Sequence, residues 1–164
     1  MKCVATLLLA SLGATAAFAA SATPSDRAFV AKVSQGGMFE VAAGKLAESR
    51  GSTQDVRDFA AMEVHDHTLV GNRLQAISSS EGLAIDPAPN AEFKGKLAHL
   101  ASLTGRAFDA AYLGDMAALH DADGAAFAKE AGDGGSPAYR AFGMETHRIV
   151  QRHIGAIHGA PMPG

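Results

Sequence analysis

Apolar positions recur every three to four residues along most of this chain, and the interruptions between these runs are short. Phe29, Val33, Gly36, Glu40, Ala43 and Ala47 fall on one stripe, which predicts a helix from about Asp26 to Ser49, ended by Arg50 and Gly51. In "STQD", Ser52 reads as an N-cap with Asp55 three residues on, an acidic form of the capping box. A second long helix follows, with Val56, Phe59, Glu63, His67, Val70, Leu74 and Ile77 on its stripe. "EGLAIDPAPN" breaks the pattern with Gly82, Pro87 and Pro89, and "AEFKGKLAHLASL" reads as a short helix stopped near Gly105. The third long helix carries Phe108, Tyr112, Met116, His120 and Phe127. After the break "AGDGGSP", Pro137 suits the first turn of a fourth, with Phe142, Glu145, Ile149, His153 and Ala156 on one face. No strand-like alternation and no repeat stands out. The pattern predicts an all-α fold: four long helices in an antiparallel bundle, with a short extra helix between the second and third.

The first residues read differently. "MKCVATLLLASLGATAAFAA" has one lysine, an apolar run from Val4 to about Leu12, and the small-x-small triplet Ala17-Phe18-Ala19. Those are the parts of a secretory signal, with cleavage expected after Ala19 or Ala20. The run is too short to anchor the chain, because a membrane span needs about 20 apolar residues. Residues 1–20 are thus expected to be removed, leaving 21–164 as one bundle domain that is exported to the periplasm, either soluble there or associated with the outer membrane, with no transmembrane segment of its own. The single cysteine, Cys3, leaves with the signal. Disulfides, thiolate metal sites and covalent haem attachment then drop out.

A formal charge of -3 gives no electrostatic reason to expect nucleic acid as a partner. Aromatic residues make up only 6% of the chain and Trp is absent, which suits close-packed helices better than a β-sandwich. Nucleophilic catalysis has no support either, since no Gly-x-Ser-x-Gly elbow occurs. The expectation leans away from an enzyme.

What changes the picture is an ionisable residue on every inner stripe: Glu40 on the first helix, Glu63 and His67 on the second, His120 on the third, and Glu145 with His153 on the fourth. Glu63 and His67 are spaced i, i+4, so their side chains point the same way, about 6 Å apart. Bundles build metal sites from inward carboxylates and imidazoles of this kind. Glu40, Glu63, His67, His120 and His153 are the candidate ligands, for zinc, iron or copper. If the second and fourth long helices run parallel, counting along the axes spreads these residues over about six positions, roughly 9 Å. That is loose for one ion. Asp66 beside His67 is read as a solvated acid or as a carboxylate orienting an imidazole. His65, His99, His147 and His158 fall outside the inner stripes.

Two readings stay open. In one, an ion is held between the four helices. In the other, the protein is a non-enzymatic envelope interaction or stress protein, and the buried polar residues satisfy one another and fix the packing register. A di-iron centre fits less well, because such bundles repeat Glu-x-x-His and this chain has Glu63-x-x-x-His67. Haem held between His67 and His153 would need a wider apolar pocket than these alanine-rich stripes offer.

"MFEVAAGKLA", "FAAMEVHDHTLVGNRL", "LTGRAFDAAYLGDMAALH" and "VQRHIGAIH" together resemble an exported bacterial family of unknown function labelled "predicted outer membrane protein". The resemblance runs from about Asp26 to His158 and implies a ferritin-like four-helix bundle behind a signal peptide. It carries over Glu40, Asp66, His67, Asp109, His120 and His153. One departure stands on the third long helix, where Leu119 takes the place of an acid before His120.

Overall fold

The computed structural model describes residues 22–159; the expected signal segment, residues 1–20, lies outside them. Five helices follow in order, α1 (Pro24–Arg50), α2 (Gln54–Ser80), α3 (Ala91–Ser102), α4 (Gly105–Asp133) and α5 (Pro137–Gly159). α1, α2, α4 and α5 form the bundle, α3 is the short extra helix, and no strand occurs among the described residues.

Local chemistry sets the helix starts. The Thr23 hydroxyl accepts from the Asp26 N–H at 3.3 Å while the Asp26 carboxylate accepts from the Thr23 N–H at 2.6 Å, a reciprocal capping box with Pro24 just inside it. Thr53, rather than the expected Ser52, caps α2 by accepting from the Val56 N–H at 3.3 Å. Ser52 has another task. Its N–H donates to Asp109 Oδ1 at 2.9 Å and its hydroxyl to the other oxygen of the same carboxylate, tying the start of α2 to the start of α4.

The opposite end is tied as firmly. The N–H groups of Gly135 and Ser136 donate to Asp26 at 2.9 and 3.1 Å, and the Ser136 hydroxyl donates to Glu81 at 2.9 Å. The starts of α1 and α5 therefore meet the end of α2. It follows that α2 and α5 are antiparallel, which corrects the parallel arrangement expected for the second and fourth long helices. α3 is the reason. It runs alongside α1, with Phe93 stacked on Phe39 at 5.0 Å and Arg50 donating to the Ala101 carbonyl at 2.6 Å, and so returns the chain to the top before α4 begins. The bundle thus has one long crossover, the ferritin-like connection.

Small residues bring the helices close. A Cβ at Gly143 would stand 2.9 Å from backbone atoms of both Phe127 and Ala131, so α5 can lie against α4 only with glycine there. The apolar core forms two clusters. One gathers Phe39, Phe59, Phe108, Tyr112 and Met116 near the top, and the other Phe29, Leu74, Phe127, Tyr139 and Phe142 near the bottom. On α5 the buried stripe is Phe142, Thr146, Val150, His153 and Ile157. Glu145 and Ala156, expected on the inner face, are exposed instead, and Glu145 pairs with Arg73 at the surface.

Candidate metal centre

Between the two apolar clusters lies a polar layer. Glu40 comes from α1, Glu63 and His67 from α2, His120 from α4 and His153 from α5, and all five are buried. The crossover explains why they share a height. Glu63 follows Ser52, and His120 follows Asp109, by the same number of residues, and Ser52 and Asp109 are bonded to each other. With α4 and α5 reversed, the spread expected along the axis closes.

One donor atom from each of Glu63, His67, His120 and His153 lies within 4.8 Å of all the others. His153 Nδ1 sits 2.9 Å from Glu63 Oε1, 3.1 Å from His120 Nε2 and 3.3 Å from His67 Nε2. The Nε2 atoms of His67 and His120 are each 3.3 Å from a Glu63 oxygen. Ligands bonded to a tetrahedral ion at about 2.0–2.1 Å stand about 3.3 Å apart. The five contacts of 2.9–3.3 Å lie close to that spacing, shared over both Glu63 oxygens, and no pair of the four donor atoms is more than 4.8 Å apart. They also remove the haem reading, because the nitrogens of His67 and His153 already meet and no flat macrocycle fits between them.

Each imidazole is held from behind. His67 Nδ1 faces Glu40 Oε2 at 2.8 Å, His120 Nδ1 the Met116 carbonyl at 2.8 Å, and His153 Nε2 Asp66 Oδ2 at 2.9 Å. Asp66 is in turn gripped by Arg152 at 2.6 Å. An outer nitrogen bonded to an oxygen carries a proton, so whenever the ring is neutral its inner nitrogen presents a lone pair. The fully buried Glu63 has no partner for either oxygen except these imidazole nitrogens. Lone pairs and a carboxylate facing one another across 3 Å or so repel, unless a cation or added protons lie between them.

The ionisation of the cluster follows from this crowding. Burial pushes the Glu63 carboxyl up, but the imidazoles of His120, His153 and His67 override it and bring it down to about 2. For His120, burial favours the neutral ring, yet Glu63 and Glu40 raise it to about 9. His67 is also raised, as Glu40 and Glu63 outweigh its burial. Asp66 is lowered against its burial by His153 and Arg152. A divalent ion here would sit among the carboxylates of Glu63, Glu40 and Asp66 and the Arg152 guanidinium, which together leave the centre neutral.

Of the five expected ligands, Glu63, His67, His120 and His153 converge, while Glu40 stands behind His67 as its hydrogen-bonding partner. Asp66 is half-buried and orients His153; its partner lies on α5, so no spacing within α2 could reveal the pairing. Asp123, absent from the sequence reading, is buried one turn below His120, with Lys32 at 3.4 Å. Burial and the nearby Glu40 push it up to about 6. Its i+3 spacing from His120 was the available signal. Asp109 serves the α2–α4 junction and lies away from the cluster.

Comparison with known proteins agrees on the fold. A crystal structure of a DUF305 fragment from Deinococcus radiodurans aligns with a TM-score of 0.74 over 85% of this chain and 96% of that one, at 16% identity. No curated protein matches the chain. Its sequence does match a family profile over residues 11–159. On that match, the chain belongs to the family described as domain of unknown function DUF4142.

Proposed function

We propose that this protein is an exported helical bundle that binds one transition-metal ion in its polar layer, through Glu63, His67, His120 and His153. The observation that carries the reading is the buried Glu63 carboxylate, whose oxygens have no partner other than three converging imidazole nitrogens. Burying such a carboxylate without compensation costs several kcal/mol. A cation supplies the missing partner for all four groups at once.

Three imidazoles and one carboxylate suit zinc, iron or copper, and a tetrahedral arrangement favours zinc or iron(II) over tetragonal copper(II). Hard cations such as calcium and magnesium prefer all-oxygen shells. Four protein ligands also close the tetrahedron, as in structural rather than catalytic sites. The reading is accordingly one of binding, without turnover. Export rests on the apolar segment ending in Ala17-Phe18-Ala19. No described helix is long and apolar enough to cross a membrane.

The raised His120 favours a second reading. An imidazolium at His120 can neutralise Glu63 without a metal, and the layer then serves only to fix the register of the helices. Native mass spectrometry of tag-free protein isolated from the cell envelope separates the two. The metal reading expects one ion per chain on a polypeptide starting near Ala20 or Ser21. Ion-free protein that takes up no zinc, iron or copper on incubation supports the second reading, and an intact Met1 counts against export.

A further inference from the structure

We infer that the cleft between α1 and α2 is a binding site for a medium-chain fatty acid or a similar carboxylate amphiphile. Beside the polar layer and below it the two helices part, leaving a space of about 540 Å³ whose walls include Val33, Val41, Val70 and Leu74, and whose floor is Phe127 and Phe142. That volume lies within the range of small-molecule sites. The crossover segment closes one end with Ile85 and Pro87. Gly37 and Gly71 stand on its two walls, and a Cβ at either would meet no heavy atom within 4 Å. The opening therefore exists where side chains that could fill it are absent.

Charge selects the occupant. At the upper rim stands Lys45, exposed and without a carboxylate within ion-pair distance among the described residues, and no other lysine or arginine is among the residues lining the cleft. The acid of the cleft, Asp86, belongs to the crossover segment, more than three turns of α1 away from Lys45 if it sits level with Val33. From Val33 to Lys45 the helix advances about 18 Å. An extended acyl chain gains roughly 1.3 Å per carbon, so a chain of ten to twelve carbons, on the order of 12–15 Å, lies along the apolar walls with its carboxylate at Lys45. Apolar contact holds the tail, and the lysine, a solvated partner, chooses the head. This site is independent of the metal reading, because its walls are made by residues other than the four ligands, with His67 only at the inner end.

Isothermal titration of the mature chain with decanoate and with decanol tests the proposal. Decanoate is expected to bind saturably at one site per chain. Gly37→Leu combined with Gly71→Leu fills the cleft and suits helix interiors, so the variant should melt no lower than the wild type yet bind decanoate at least about tenfold more weakly. Lys45→Gln should weaken decanoate about threefold and leave decanol unchanged. Absence of saturable decanoate binding, undiminished binding by a folded double-leucine variant, or equal weakening of both ligands by Lys45→Gln overturns it. If the double-leucine variant fails to fold, Thr68→Leu on the same wall takes its place, with the same loss of decanoate binding expected and unchanged binding contradicting the site.

Discussion

His120 is the residue on which the cluster's dependence on pH turns. Its folded pKa of about 9 lies above the ordinary 6.5, so the stability it contributes to metal-free protein is complete below pH 6.5 and disappears as pH rises through 9. Glu63, brought down to about 2, works in the opposite sense, contributing above pH 4.5 and failing as pH falls towards 2. Metal-free protein should therefore be most stable between these two windows. An ion must displace the His120 proton to bind, so apparent affinity should rise about tenfold per pH unit up to about pH 9; competition titrations at several pH values check this, and a plateau above pH 7 would contradict it. Asp66 acts at one remove. Asp66→Asn should weaken metal binding about 10- to 100-fold by loosening His153, with the helices intact by circular dichroism. The same change at exposed Glu145, as Glu145→Gln, should leave affinity as it was. Glu63 and His67 were legible because they share a stripe on one helix. The partners behind them were harder to read, since each bond to Glu40 or Asp66 crosses between helices.

Helix boundaries and inner faces came mostly from the periodic pattern, and the failures have local causes. Every expected position on α1, from Phe29 to Ala47, is buried. The α5 face was misjudged because Thr146 and Val150 line the interior, while Glu145 looked like one more inward acid. The reversal of α4 and α5 was missed for a different reason: a three-turn helix in the connection reads as decoration until its path alongside α1 is known. Glycines mark two opposite situations here. Gly143→Ala pushes a Cβ into backbone on α4 and should destabilise by about 1–3 kcal/mol, read as a fall in melting temperature. Gly37→Ala meets open space and should stabilise by about 0.5–1 kcal/mol through helix propensity. Equal effects at both positions would show that close approach is not what Gly143 provides.

Across the whole molecule, two apolar clusters hold the bundle and the polar layer divides them, while carboxylates clasp each end. At the lower end Asp26 is lowered to about 2, because the N–H groups it caps outweigh its burial. Beside it Glu130 is pushed up to about 7 by burial and by Asp26 itself. A carboxyl raised from 4.5 favours folding below that value and loses its contribution as pH rises through 7. Glu130→Gln should flatten this part of the stability profile and raise the melting temperature at pH 8; an unchanged profile would mean that the pair carries no such linkage. Composition and pattern made the all-helical bundle legible, but not that its four inner acids and imidazoles meet at one level, which depends on the crossover.

The central claim is that the polar layer holds an ion, and differential scanning calorimetry tests it most directly. Tag-free wild type and His67→Ala are melted with and without Zn²⁺, Fe²⁺ and Cu²⁺. An ion present at about 100 times its dissociation constant adds about 2.7 kcal/mol, which for a domain of this size raises the melting temperature on the order of 8 °C. The account predicts that rise in the wild type with at least one of the ions, and none in a His67→Ala variant that keeps its helices. A wild type whose melting temperature none of the three ions raises would contradict it and leave the layer as a metal-free polar network.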